Sequence, residues 1–267
     1  MQITQDQIQH FDTEGWLFLP GAFSGDEAAL MLDEAQKIYA TDRPEVFREK
    51  DAKTARTAFA AHTYNEVFRR LVHHPRLITP IEQLLGGQLY VHQFKLNAKA
   101  AFDGDQWQWH QDFGTWHRDD GMPEPRAMNI AVFLDPVIEF NGPLMFIPRT
   151  HKQGVLEAGH DLSTTSYPLW TLDHATVRRL ADQHGIVAPK GPAGSVIMFH
   201  GNLVHASPGN ISPWNRTICY VTFCEVSNHI TKFTRPEWIA HRDFTPIEPY
   251  ADDCLAELVA AHKRAAE

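Results

Sequence analysis

The chain has 267 residues with 24 Lys and Arg against 33 Asp and Glu, a formal net charge of −9, which argues against a polyanionic partner such as nucleic acid. Hydrophobic residues make up 43% and charged residues 21%, the balance of a packed globular domain rather than a disordered chain. No apolar run approaches the ~18 residues needed to span a membrane, and the opening Met1-Gln2-Ile3-Thr4 lacks the basic and apolar regions of a secretory signal.

There are three cysteines. Cys219 and Cys224 would face opposite sides of one strand, which predicts a reduced, cytoplasmic protein rather than a disulfide framework. In chain order, residues 3–14 read as a short amphipathic helix stopped by Gly15, followed by a short apolar strand, Trp16–Leu19. Ser24 with Glu27 forms a capping box, and Ala28, Met31, Leu32, Ala35, Ile38 and Tyr39 supply the apolar stripe of the helix it opens. Residues 42–62 are polar and irregular, predicting either a mobile segment near the mouth of a site or a plain solvated loop. Residues 64–85 predict helix, interrupted near Pro75 and Pro80 and ended by Gly86-Gly87.

Residues 88–98 alternate as a strand, with Leu89, Val91, Gln93, Lys95 and Asn97 on one face and Tyr90, His92, Phe94 and Leu96 on the other. A face carrying Gln, Lys and Asn lines a polar cavity or meets solvent, and periodicity alone does not separate the two. The stretch Trp107-Gln108-Trp109-His110-Gln111-Asp112-Phe113 holds the most chemistry. At strand spacing His110 and Asp112 point to the same face. With a distant second imidazole they would make a 2-His-1-carboxylate facial triad, which holds non-haem Fe(II) and leaves positions open for a co-substrate and O2. In a chain with 16 His, a lone His-x-Asp is also a chance pairing.

Residues 115–123 read as a dense polar loop. Further strands are expected at Met128–Leu134, Leu144–Ile147, Gly194–Gly201 and Arg216–Val226, with a turn at Asn141-Gly142-Pro143. On the last strand Arg216, Ile218, Tyr220, Thr222 and Cys224 share a face. Residues 152–190 form an insertion with a helix at about 173–184, and a final helix is expected near 251–266. Helices followed by many short, turn-punctuated strands predict a mainly β fold. The expected architecture is a double-stranded β-helix (jelly-roll) core with flanking N-terminal α-helices. It would form a single domain over 1–267, with a helical layer to about 87, a core at about 88–226 and an extension at 227–267.

The combination of His110-x-Asp112, Asn141-Gly142-Pro143-Leu144, Pro148-x-Thr150-His151, Gly194-Ser195, His205-x-Ser207 and Arg216 resembles the phytanoyl-CoA dioxygenase superfamily of Fe(II)/2-oxoglutarate oxygenases. The resemblance runs from Trp16 to about Pro249. Within that superfamily, His92–Asn97, Trp109–Phe113, Asp120–Pro123, Asn210–Pro213 and Arg242-Asp243-x-Thr245-Pro246 are similar to hydroxylases of free L-proline and L-leucine, and more distantly to ectoine hydroxylases. The resemblance implies a 2-oxoglutarate-dependent dioxygenase that binds Fe(II) through His110, Asp112 and His205. Arg216, Ser207, Gln93 and Asn97 would receive 2-oxoglutarate. A guanidinium grips a carboxylate bidentately and stays charged when buried, which suits Arg216 to that task. Arg242, Trp116, Asn129, Ile218 and Tyr220 would face the amino or imino acid substrate.

Asp at the carboxylate position, where related halogenases carry Gly or Ala, favours hydroxylation. Ile218 and Asn129 depart from the ectoine pattern, which has Asn and Ser there. His200 is a second candidate for the distal ligand, and His117 and His151 are spare imidazoles. Arg242 could instead pair with Asp243, and Trp116 could be core packing. Other readings left open are a tailoring oxygenase acting on a larger molecule, a non-catalytic jelly-roll binder and a zinc hydrolase. A small-molecule substrate, no membrane or nucleic-acid partner, and a monomer or homodimer are expected. Residues 43–60 and 152–175 are candidate lids.

Overall fold

The structure, a computed structural model, describes residues 1–266. Helix α1 (Gln5–Glu14) is opened by a reciprocal capping box between Thr4 and Gln7 and closed by Gly15 at φ 84°. Glycine is needed there twice over: the backbone is left-handed, and a Cβ would lie 2.4 Å from Nδ1 of His151. Strand β1 (Trp16–Leu19) and helix α2 (Gly25–Tyr39), capped by Ser24 and Glu27, fall where the sequence puts them. The next segment does not. Instead of an irregular loop it contains β2 (Val46–Arg48) and β3 (Ala55–Phe59), a hairpin whose second strand pairs with the core. Its residues Arg56 and Thr57 are polar yet buried, and burial rather than hydropathy makes them strand.

Helices α3 (Ala61–Tyr64), α4 (Glu66–Val72) and α5 (Pro75–Leu85) follow. The predicted break comes at His73-His74. Pro75 opens α5 at a position where no amide donor is needed. Pro80 lies inside the helix instead of ending it. Burial of Leu77, Ile78 and Ile81 offsets the hydrogen bond it removes.

The core strands are β4 (Leu89–Lys99), β5 (Trp107–His110), β6 (Ala127–Phe133), β7 (Met145–Phe146), β8 (Gly159–Asp161), β9 (Leu169–Thr171), β10 (Val196–His200), β11 (His205–Ser207) and β12 (Arg216–Glu225). Helices α6 (Asp112–Asp120), α7 (His174–His184) and α8 (Cys254–Ala266) complete the described chain. Seven strands form the major sheet in the order β1-β10-β6-β12-β4-β3-β2, and β5-β11-β7 form the minor one. This is the jelly-roll architecture, with the qualification that the first 87 residues supply three strands of the major sheet as well as helices. No helix among the described residues is long and apolar enough to cross a membrane.

Strand alternation divides the core in two. Met128, Ile130 and Val132 of β6 and Cys219, Val221 and Phe223 of β12 turn toward α2, α4, α5 and α8. Their neighbours Ala131, Phe133, Ile218 and Tyr220 turn inward with Phe146 and Phe199. Strand β4 breaks its own alternation. Its pairing with β12 steps from Gln93 to Val91, so His92 is an extra residue in a bulge. Leu89 and Val91 therefore join Phe94 and Leu96 on the helix side, against the predicted faces. Tyr90 packs on the inner side with Trp116, and Lys95 and Asn97 line the inner pocket.

His241 is buried beside His62, with ring centroids 4.7 Å apart. Burial, with His92 a lesser cause, holds its pKa down to about 4. The unfolded chain takes up that proton near pH 6.5, so the neutral ring stabilises the fold above that pH and the contribution is lost as pH falls toward 4. Melting temperature should drop over this window, and His241→Asn should flatten the drop. An identical pH profile in the variant would remove His241 from the account.

Candidate active site

Pairing of β5 with β11 sets His205 directly opposite His110, with ring centroids 4.1 Å apart. Asp112 reaches them differently from the strand reading. Strand β5 stops at His110, and Asp112 is the first residue of α6. The carboxylate is thus turned toward the rings at a strand-to-helix junction, not by i, i+2 alternation. His110 Nε2 lies 3.5 Å from Asp112 Oδ1 and His205 Nε2 lies 3.5 Å from Asp112 Oδ2. All three residues are buried, and their ligand atoms lie within 4.8 Å of one another.

Each ring is oriented by its own chain. His110 Nδ1 is 2.6 Å from the Gln108 carbonyl and His205 Nδ1 is 2.9 Å from the Leu203 carbonyl. A carbonyl only accepts, so each Nδ1 carries the proton and each Nε2 presents a lone pair to the centre. Burial, reinforced by His110, depresses the His205 pKa to about 3. For Asp112 burial pulls the pKa upward, but Lys95 and the two imidazoles outweigh it and keep the group ionised. Two imidazoles and one carboxylate in a buried site fit a divalent transition metal such as Fe(II).

Lys95, Asn97, Trp107, Leu144, Ser207 and Tyr220 line the pocket around the triad. Its free volume is about 20 Å³, roughly the space of one water, so a larger ligand requires these side chains to give way. Asn97 accepts from the Thr57 hydroxyl at 2.6 Å. Gln93 is buried and spends its amide on the Ile239 carbonyl. Arg216 is fully buried, donates to the Gly142 carbonyl through Nε and Nη2, and lies beside Tyr220.

Of the predicted site residues, Gln93 and Arg216 and four of the five expected to face the substrate are not on the pocket wall. Ile218 packs in the inner apolar cluster. Trp116 lies on α6, in what reads as a polar loop, and its ring is buried among Tyr90, Phe113 and Met122, edge-on to His92. Asn129 faces Asp112 rather than open space. Arg242 reaches the Phe233 and Arg235 carbonyls and lines a separate cavity of about 540 Å³ with His62, His73, Trp238 and His241. It makes no pair with Asp243, whose carboxylate accepts from the Thr245 amide.

Besides Lys95 on the pocket wall, a second cation, Arg235, lies seven residues before Arg242 and was missed in the sequence. It binds Asp120 through Nε and Nη2. Asp120 is fully buried at the far end of α6, and His92 Nε2 lies 3.5 Å from it. The charge of Arg235 is felt at Lys95 and Tyr167. The ring of Tyr167 lies 5.4 Å from that of Trp107 on the pocket wall. Nothing in the spacing of the C-terminal extension distinguishes Arg235 from Arg242; only the tertiary path of residues 229–242 does. The two candidate lids meet here: Lys50 donates to the Ser163 and Thr164 carbonyls, and Ser166 donates to Glu49.

The sequence profile of the phytanoyl-CoA dioxygenase (PhyH) family matches residues 11–218. The chain is 36% identical to an L-proline trans-4-hydroxylase of Streptomyces griseoviridis over 260 residues, covering 94% of this chain and 97% of the relative. It is also 36% identical to an ectoine dioxygenase of Bordetella parapertussis over 265 residues, covering 92% and 85%. The solved EctD of S. alaskensis with bound Fe superimposes with a TM-score of 0.82 at 34% identity, covering 93% of this chain and 87% of that one. EctD has also been solved with 2-oxoglutarate and 5-hydroxyectoine, at a TM-score of 0.81 and 36% identity over 93% and 86% of the two chains. Fold, triad and relatives together define an iron- and 2-oxoglutarate-dependent dioxygenase. The chain belongs to the phytanoyl-CoA dioxygenase family.

His200, the second candidate for the distal ligand, is occupied elsewhere: its Nδ1 accepts from the Asn202 amide and its ring lies 5.3 Å from that of His151. His205→Ala should abolish stoichiometric Fe(II) or Co(II) binding in an anaerobic titration, whereas His200→Ala should retain it. The opposite pattern would reassign the distal ligand.

Proposed function

We propose that the chain hydroxylates a small free L-amino or imino acid, of the L-proline or aliphatic L-leucine type, in the cytoplasm. The single observation that carries this reading is the buried triad, set at a small pocket lined by Lys95, whose own charge is influenced by Arg235. A substrate of few atoms that bears a carboxylate asks the least displacement of the side chains lining that pocket and matches its charge. Full-length similarity to a proline hydroxylase supports the same reading. Ectoine is the second reading, favoured by equal identity to the ectoine enzymes. It is a small cyclic carboxylate, so it meets the same requirements.

His110, Asp112 and His205 would hold Fe(II), and 2-oxoglutarate with O2 supplies the oxidising power that breaks an unactivated C–H bond when bound there. The chain supplies position and dryness. Arg216, assisted by Ser207, would grip the far carboxylate of 2-oxoglutarate; to do so it exchanges the Gly142 carbonyl for a stronger, charged acceptor. Asn97 and Gln93 would bound the co-substrate from β4. Tyr220 closes the side next to Arg216, and burial pushes its pKa up to about 12, so it stays a neutral donor at working pH. Arg235 uses Nε and Nη2 on Asp120 and so has Nη1 to offer the substrate carboxylate, with Lys95 as a second cation. Arg242 would brace the backbone of Arg235 from behind. Trp116 and Ile218 would shape the pocket from the layer beneath.

The test is succinate formation with Fe(II), 2-oxoglutarate and O2 across the twenty amino acids, pipecolate and ectoine, with mass spectrometry for one added oxygen. Substrate-dependent succinate with an oxygenated L-proline or aliphatic amino acid is expected. Turnover of ectoine alone selects the second reading. Arg216→Ala should raise the KM for 2-oxoglutarate about 100-fold, the scale of a lost buried charged hydrogen bond. Arg235→Ala should raise the KM for the amino acid about 10-fold or more while leaving uncoupled 2-oxoglutarate turnover in place. Arg242→Ala should have the smaller effect, and a reversed ranking would return the carboxylate to Arg242.

A further inference from the structure

Asp112 has two oxygens within reach of the centre, one near each imidazole. A carboxylate that ligates through both would take up a coordination position that the chelating co-substrate or O2 needs. The neighbouring strands supply a device against this. Asn129 Nδ2 lies 2.6 Å from Asp112 Oδ2, and Thr222 Oγ1 lies 2.6 Å from Asn129 Oδ1. Asn129 and Thr222 are both fully buried and stand directly opposite each other in the register of β6 and β12.

The orientation of the amide follows from donor chemistry. An ionised carboxylate only accepts, so the NH2 end of Asn129 faces Asp112; its carbonyl end then takes the hydroxyl proton of Thr222. The chain of bonds runs one way, Thr222 to Asn129 to Asp112. It ties a ligand at a strand-to-helix junction to the central strand of the major sheet, β12, and its neighbour β6.

We propose that Asn129, locked by Thr222, commits Asp112 Oδ2 to the protein and leaves Oδ1 as the single metal ligand. Asn129 and Thr222 are then positioning residues that keep the carboxylate monodentate. This goes beyond the substrate-facing role expected of Asn129 and rests on the triad being the metal centre.

The test uses the metal-free protein titrated anaerobically with Co(II), reading affinity and the visible absorption spectrum, whose intensity separates five- from six-coordinate Co(II), before and after 2-oxoglutarate. Asn129→Ala should weaken Co(II) binding by about 10-fold or more, as loss of outer-shell support does. It should also change the spectrum and weaken the response to 2-oxoglutarate. Thr222→Val, which frees the amide without removing it, should move both readouts the same way by less, and Thr222→Ser should restore them. The serine and valine pair decides the matter if Asn129→Ala does not fold. Wild-type affinity and spectrum in Thr222→Val and in any folded Asn129→Ala would overturn the proposal while the metal centre stands. Failure of the wild-type protein itself to bind Co(II) would overturn the metal reading beneath it.

Discussion

The site depends on one short antiparallel pairing, β5 against β11, in the minor sheet. It brings together residues far apart in sequence and turns two imidazoles toward a common point. Each ring then secures its own tautomer with a backbone carbonyl two residues back, so the strand that delivers the ligand also orients it. Aggregation of donors into a dry centre is costly unless charge is compensated. Here Lys95, on the inner face of β4, supplies the compensation for Asp112.

Much of the fold was legible because its signals are local. The capping box at Ser24, the glycine stop at Gly15 and the apolar strands around Val196 and Val221 all depend on neighbours within a few residues. The failures have a common physical origin. Arg56 and Thr57 look like loop because they are polar, but they are buried with partners from distant segments: Glu49 and Gln106 for Arg56, Asn97 for Thr57. His92 gives no sign that it is a bulge, since the extra residue is defined by β12 and not by β4. Trp116 and its polar neighbours read as loop because α6 is short and its apolar positions meet partners from β4, β6, β12 and the C-terminal extension.

Within the site, the metal ligands were recoverable from motif chemistry. The residues around them were not, for a specific reason. Motifs report which residue types recur; they do not report how a side chain is already spent. Asn129 reads as a pocket residue and is consumed by Asp112. Arg242 reads as a carboxylate receptor at the metal pocket, but its Nη2 donates to two backbone carbonyls and the side chain lines a separate cavity. Arg235, on the same extension, is spent on the buried carboxylate of Asp120.

Helix α6 carries Asp112 at its first position and Asp120 at its last. One end stands at the metal ligands and the other holds Arg235. At 1.5 Å of rise per residue, the two carboxylates are separated by roughly 12 Å along the axis. The helix is therefore a fixed spacer between the metal ligands and the charge proposed to anchor the substrate, and on that proposal the reacting carbon would be set by counting from the anchor. One residue more or less in α6 would shift the spacing by about 1.5 Å and rotate one end by about 100°, so with such an anchor the helix length would set regiochemistry as much as the shape of the pocket.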